Sequence, residues 1–219
     1  MKRNWRIVTA VTAFALLSPA LSSPALADAP ETAGRPVDPR PSTKELQRHL
    51  DRIEKRSRGA VDVTTIGTTN QGRPILNATV GTGPLRLMYV TQQHGNEPLG
   101  TPAALELREE LGVRPGKHER AVPDRVTLAV VVRANPDGHE LDQRYNHDPD
   151  ADPEYGRPGV GYDPNRYHSP DLAPADNPVP EAAAVRRQYD AFDPHLVGDY
   201  HMQGRYSDDD GEEITASLM

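Results

Sequence analysis

The chain has 219 residues, a net charge of −7, and 36% hydrophobic against 26% charged residues, which suits a soluble globular protein and excludes a polytopic membrane protein. Asp and Glu outnumber Lys and Arg by 32 to 25, so no basic surplus exists to engage nucleic-acid phosphates. Cysteine is absent, which excludes disulfides, thiolate metal sites and a cysteine nucleophile, and leaves histidine and carboxylate as the means of holding any metal.

The first predicted element is a targeting segment. Lys2, Arg3 and Arg6 precede a short apolar run from Ile7 to Leu17, and Ala25-Leu26-Ala27 supplies small residues of the kind a signal peptidase reads. Residues 1–27 are therefore expected to be a secretory signal peptide and residues 28–40, rich in Pro and Ala, a flexible leader. The apolar run is too short to span a membrane, so the expected product is exported, with no stable membrane anchor after cleavage.

Residues 41–219 read as one domain. Ser42 with Glu45 is a capping-box pattern, and Leu46, Leu50 and Ile53 share one helical face, predicting a helix to about Ser57. Val61 to Ile66 and Ile75 to Val80 are predicted strands around a turn at Gln71-Gly72-Arg73-Pro74. Leu85 to Thr91 has the near-continuous apolar content of a buried strand. A helix is predicted from Thr101 as N-cap and Pro102 at the first helical position. Val126 to Val132 reads as a central strand, Glu181 to Phe192 as a helix, and Leu196 to Tyr200 as a short last strand. The order predicts an α/β fold, a mixed sheet flanked by helices. Between Asn135 and Val179 lies a polar, Pro-rich stretch, and a loop of that length in a compact domain points to a site.

His94-Gly95-Asn96-Glu97 follows the strand Leu85 to Thr91, and His201 follows the strand Leu196 to Tyr200. Ligands gather at the carboxyl ends of strands in α/β sheets. If the two strands run the same way, His94, Glu97 and His201 converge there. Two imidazoles and one carboxylate would give a zinc site with its fourth position open to water, the layout of a catalytic centre. By spacing alone, the favoured reading makes His94 and Glu97 ordinary polar groups of a loop and His201 a satisfied surface histidine.

Further segments, in order, bring a resemblance into view. These are Ile66-Gly67 with Gly72-Arg73-Pro74, Asn135-Pro136-Asp137-Gly138 followed by Arg144, Gly161-Tyr162-Asp163-Pro164-Asn165-Arg166, and Asp199-Tyr200-His201. With His94-Gly95-Asn96-Glu97 they resemble the zinc carboxypeptidase family from about Ser42 to Gly204. The resemblance implies a three-layer mixed sheet flanked by helices and a single Zn2+ on His94, Glu97 and His201. It implies that Arg144 is catalytic and substrate-binding, stabilising the oxyanion, and that Asn165 and Arg166 bind the substrate's terminal carboxylate, a task suited to a planar guanidinium. The expected protein is a secreted, extracellular metallocarboxypeptidase, a monomer acting on peptide or protein C-termini and not on nucleic acid.

Some features depart from the family pattern. The chain ends at Met219, soon after His201, and no segment matches the family's downstream general-base glutamate. The expectation is a C-terminally truncated form, missing its last strands and helices. Glu212 and Glu213 belong to an acidic stretch expected to be a solvated tail. Asn96 stands where digestive members carry arginine, and Pro164 where leucine is usual. A zinc deacylase of the aspartoacylase or succinylglutamate desuccinylase type, and a non-catalytic zinc- or peptide-binding remnant, are the alternatives. The alternating Asp148, Asp150 and Asp152 are expected in a solvated loop, since Pro153 and Gly159 stand where a calcium loop needs Gly and Glu. His49, His118, His139, His147, His168 and His195 are expected in surface or loop roles.

Overall fold

The computed structural model describes residues 40–202, together with the backbone of two short strands, Tyr206–Ser207 and Glu213–Ile214. The expected signal peptide, the leader up to residue 39 and Glu212 lie outside the described residues. Among the described residues no helix is long and apolar enough to cross a membrane.

The elements follow the apolar pattern closely. They are α1 (Thr43–Ser57), β1 (Val61–Thr68), β2 (Pro74–Val80), β3 (Leu85–Thr91), α2 (Gly100–Gly112), β4 (Val126–Val131), α3 (Pro136–Glu140), β5 (Gly156–Arg157), β6 (Gly161–Tyr162), α4 (Pro180–Phe192), β7 (Leu196–Tyr200), β8 (Tyr206–Ser207) and β9 (Glu213–Ile214). The predicted capping box is present: Glu45 N–H donates to Ser42 Oγ at 3.3 Å, and Ser42 N–H donates to Glu45 Oε2 at 3.0 Å.

Two expectations change. Thr101 is not the cap of α2; the helix starts at Gly100 with Leu99 as N-cap. The Thr101 hydroxyl is drawn instead into the core, donating to Gln92 Oε1 at 2.5 Å. Pro102 then falls within the first helical turn, where its missing N–H is tolerated. The stretch from Asn135 to Val179 is also not bare loop. It contains α3, the β5–β6 ribbon and a 3-10 turn at Pro164–Arg166.

The main sheet has the order β1-β2-β4-β3-β7, so β4 is central as its sequence predicts. The pairs β1–β2 and β2–β4 are antiparallel, whereas β4, β3 and β7 run parallel. One face buries Leu46, Leu50 and Ile53 of α1 and Ala104, Leu105 and Leu111 of α2 against Val80, Leu128 and Val130. The other buries Ala184 and Val185 of α4 against Ile75, Met88, Val90 and Val131. Helices thus cover both faces, giving three layers. The approach of α4 is close: a Cβ on Gly67 of β1 would stand 2.6 Å from Ala184 Cβ.

The fold puts the ends of β3 and β7 side by side, with Thr91 opposite Tyr200. Both strands therefore deliver the next residues to the same rim of the sheet.

Candidate metal centre

His94 and Glu97 stand on the turn after β3, and this turn is packed from below. A Cβ on Gly95 would lie 2.0 Å from Gly138 C and 2.3 Å from His139 N, so the turn rests directly on α3. Gln92, fully buried and held at a φ of 54°, hydrogen-bonds Gly95 O through Nε2 at 2.8 Å. Its Oε1 accepts from Arg133 Nε at 2.9 Å and from Thr101. Asn135 caps α3 by accepting from Gly138 N–H at 2.8 Å, and its amide also reaches Gln93 O. The buried Asp137 carboxylate accepts from Thr69 Oγ1, Gln71 N–H and Arg73 Nη1 at 2.8, 3.1 and 2.6 Å. The Gly-Arg-Pro and Asn-Pro-Asp-Gly segments are therefore two halves of one brace, joining the β1–β2 turn to the platform under the site.

His201 comes from the other side, on the first residue after β7. The structure brings His94, Glu97 and His201 together, with one ligand atom from each lying within 4.8 Å of the others. His94 Nδ1 is 2.7 Å from Glu97 Oε1, His201 Nδ1 is 2.9 Å from Glu97 Oε2, and the two Nδ1 atoms are 3.1 Å apart.

The outward nitrogen of each ring faces a carboxylate: His94 Nε2 lies 3.2 Å from Asp163 Oδ1, and His201 Nε2 lies 2.8 Å from Asp199 Oδ2. A carboxylate accepts only, so each Nε2 is the donor to its carboxylate, and a ring that held a cation through Nδ1 would keep its one proton there. The two Nδ1 atoms, 3.1 Å apart, and the Glu97 carboxylate face one another, an arrangement held together by positive charge at its centre, a proton or a metal ion. A tetrahedral zinc with bonds of about 2.0–2.1 Å sets its nitrogen ligands roughly 3.3–3.4 Å apart. The donor set and its spacing thus fit zinc.

The electrostatics agree. Burial opposes ionisation of Glu97, but hydrogen bonds from His201, His94 and Met202 N–H outweigh it and hold the carboxyl down at about 2. Asp199 and then Glu97 push His201 up to about 9. Burial works against charge on His94, yet Asp163 and Glu97 raise it above its ordinary value. Asp163 is lowered to about 2, with burial overcome by His94 and Arg144. The cluster therefore favours positive charge between its nitrogens and Glu97.

Of the other expected residues, Arg144 lies at the cluster's edge, with Nε 3.0 Å from Asp163 Oδ2 and Nη1 3.8 Å from Glu97 Oε1. The Asn165 amide is 3.2 Å from His201 Nε2. Arg166 is exposed, and its guanidinium donates back to Asn165 O at 3.3 Å. Asn96 is exposed, and Pro164 begins the 3-10 turn that Asp163 caps. Asp150 and Asp152 are exposed, as expected of a solvated loop.

Sequence reasoning gave no role to Asp163, Asp199, Gln93 or His168. His168 lies in a loop but turns inward, with Nε2 2.5 Å from Gln93 Oε1. His139 likewise meets Gln92 Nε2 through Nδ1 at 2.8 Å. A carboxylate two residues before a strand-terminal histidine was the available signal for Asp199.

Residues 46–204 match the zinc carboxypeptidase family, and the chain belongs to it. Among solved structures, carboxypeptidase A from Helicoverpa armigera is similar at 20% identity and a TM-score of 0.61, over 74% of this chain and 46% of that one. A metallo-carboxypeptidase from Burkholderia cenocepacia aligns at 24% identity and a TM-score of 0.58, over 73% and 40% of the two chains. Bovine thrombin-activatable fibrinolysis inhibitor, solved in complex with tick carboxypeptidase inhibitor, aligns at 18% identity and a TM-score of 0.59, over 76% and 60%. The fold is thus carboxypeptidase-like, and the chain spans about half the length of these structures. No curated protein sequence matches it.

Proposed function

We propose that this chain carries the zinc-binding portion of a secreted metallocarboxypeptidase that hydrolyses C-terminal peptide bonds. The observation that carries the reading is the meeting of His94, Glu97 and His201 at the carboxyl ends of two parallel strands. These three residues would hold the ion. Zinc, when bound, polarises a carbonyl and lowers the pKa of water.

The chain's own residues supply the rest. Arg144, tethered by Asp163 beside Glu97, is placed to steady negative charge developing on the scissile carbonyl oxygen. Asn165 lies against His201, and Arg166 extends from the next position into solvent, where a planar guanidinium can take up a substrate's terminal carboxylate. Asp163 orients both His94 and Arg144, so one carboxylate aligns a metal ligand with the oxyanion donor.

Zinc analysis after dialysis tests the reading. One zinc per chain is expected, lost in His94→Ala and in His201→Ala; unchanged zinc content in either variant overturns it. Release of a terminal amino acid from a peptide, with no turnover of acetylaspartate or succinylglutamate, is the expected specificity. Cleavage of the acylated amino acids alone would replace the peptidase reading with a deacylase. Stoichiometric zinc without turnover of either substrate would leave a zinc-binding module.

A further inference from the structure

Among the described residues β7 pairs only with β3, and His201 just beyond it makes polar contacts with Asp199, Glu97 and Asn165 beside a ring contact with His94. Asp199 fixes its Nε2, yet Asp199 is itself exposed on the same strand. What holds Asp199 is Gln93, whose Nε2 donates to Asp199 Oδ2 at 2.6 Å. Gln93 is 3% exposed and immediately precedes His94, so it stands between the two arms of the site. Its Oε1 lies 2.5 Å from Nε2 of His168, which comes from the loop before α4.

The chemistry of each group gives this chain one direction. A carboxylate offers no proton, so Gln93 must turn its NH2 toward Asp199. Its carbonyl oxygen then faces His168, whose Nε2 must be the donor. At the other end, Asp199 can only accept from His201 Nε2, so when Nδ1 holds a cation the one remaining ring proton is the one directed at Asp199. Burial holds the His168 imidazole below its ordinary pKa, consistent with a neutral ring that has a single N–H.

We propose that Gln93 and His168 are positioning residues for the third metal ligand: through His168, Gln93 and Asp199 in series they fix the tautomer and ring orientation of His201. The loop before α4 is thereby coupled to metal affinity. The inference rests on the reading of His94, Glu97 and His201 as zinc ligands.

The test is zinc competition against a chelator in the full chain. It is paired with NMR detection of the exchange-protected imidazole N–H of His201 in the zinc-loaded protein. Outer-shell partners of ligating histidines typically contribute about 10–100-fold in affinity. Gln93→Leu is expected to weaken zinc binding within that range, and His168→Phe by about 10-fold. Both should expose the His201 N–H to exchange. His168→Gln, which keeps an N–H donor, should restore affinity to within about threefold of the wild type, a rescue that a purely space-filling role would not give.

Wild-type affinity and an unchanged N–H signal in Gln93→Leu and His168→Phe would overturn the proposal, provided that His201→Ala has lost zinc. Should Gln93→Leu fail to fold by circular dichroism, His168→Phe in its half-buried loop decides alone. If the wild type binds no zinc, or His201→Ala retains it, the ligand assignment itself has failed and the relay falls with it.

Discussion

His94 and Glu97 stand on a turn packed from below by α3, whereas His201 stands just beyond a strand that, among the described residues, is largely exposed. The first arm is held by backbone against backbone at Gly95 and Gly138, with buried Gln92, Asn135 and Asp137 beneath it. The second arm is β7, where Leu196, Val197 and Tyr200 are 58%, 43% and 48% exposed and only β3 pairs with it among the described residues. Its candidate ligand, His201, is held by hydrogen bonds and by a ring contact with His94. The difference separates two ways of placing a metal ligand: in the deep arm, geometry and stability are one property; in the edge arm, they come apart.

Among substitutions at the site itself, the largest expected effect lies in the deep arm. Gly95→Ala puts a methyl into the backbone of α3, and neither segment can yield without moving the platform. A loss of more than about 3 kcal/mol is expected, at the upper end of overpacking costs, measured by guanidinium denaturation. A loss below about 1 kcal/mol would mean that the platform is soft and that the contrast between the arms is wrong.

The pH dependence of the same region comes next. Glu181 opens α4 and is buried beneath the loop that carries Asp163. Its Oε2 accepts from Asn146 Nδ2 at 2.9 Å, while its Oε1 has no protein partner. Burial pushes the carboxyl up to about 7, above the value near 4.5 that it has when unfolded. Between those values the folded chain holds a proton that the unfolded chain has lost, so stability falls as pH rises through this window. The total is on the order of 3 kcal/mol at 1.36 kcal/mol per unit. In Glu181→Gln this contribution disappears, so the stability difference between variant and wild type should grow from pH 4.5 to pH 7 and then level off. A difference independent of pH would show that Glu181 is ionised in the folded chain.

The same division explains what could be read from the sequence. The sheet and its helices were legible because they rest on local signals: the apolar run of β4, the spacing of Leu46, Leu50 and Ile53, and the capping box at Ser42. The three candidate ligands were legible because they fall just beyond the carboxyl ends of β3 and β7 and within segments that resemble the family's. Asp163, Gln93 and His168 were not, because a polar residue's role depends on which side chain from a distant loop faces it, and periodicity does not carry that. The two-residue strands β5 and β6 are too short for any alternation to show. Thr101 was misread because a cap and a buried hydroxyl look alike in sequence; the partner that decides, Gln92, lies on another element.

A smaller effect separates the two carboxylates behind the ligands. Asp199→Asn and Asp163→Asn should each weaken zinc affinity by about 10–100-fold. Only Asp163 is buried, pairs with Arg144 and caps the 3-10 turn, so its variant should also lose about 1–2 kcal/mol of stability. Asp199→Asn should change stability by less than about 1 kcal/mol, as expected for an exposed ion pair. Equal destabilisation in urea by the two variants would collapse the distinction between the arms.

The smallest effect is expected on β7 itself. Val197 pairs with Met88 in register, yet it is largely exposed whereas Met88 is fully buried, so neighbouring strands carry opposite surroundings at the same level of the sheet. Val197→Lys should therefore change the unfolding free energy by no more than about 0.5 kcal/mol, the range of surface substitutions. Met88→Lys, one strand away, should prevent folding, since it buries an unpaired ammonium between β3 and α4. Comparable destabilisation by the two lysines would show that β7 is packed on both faces, and His201 would then owe its position to the same kind of support as His94.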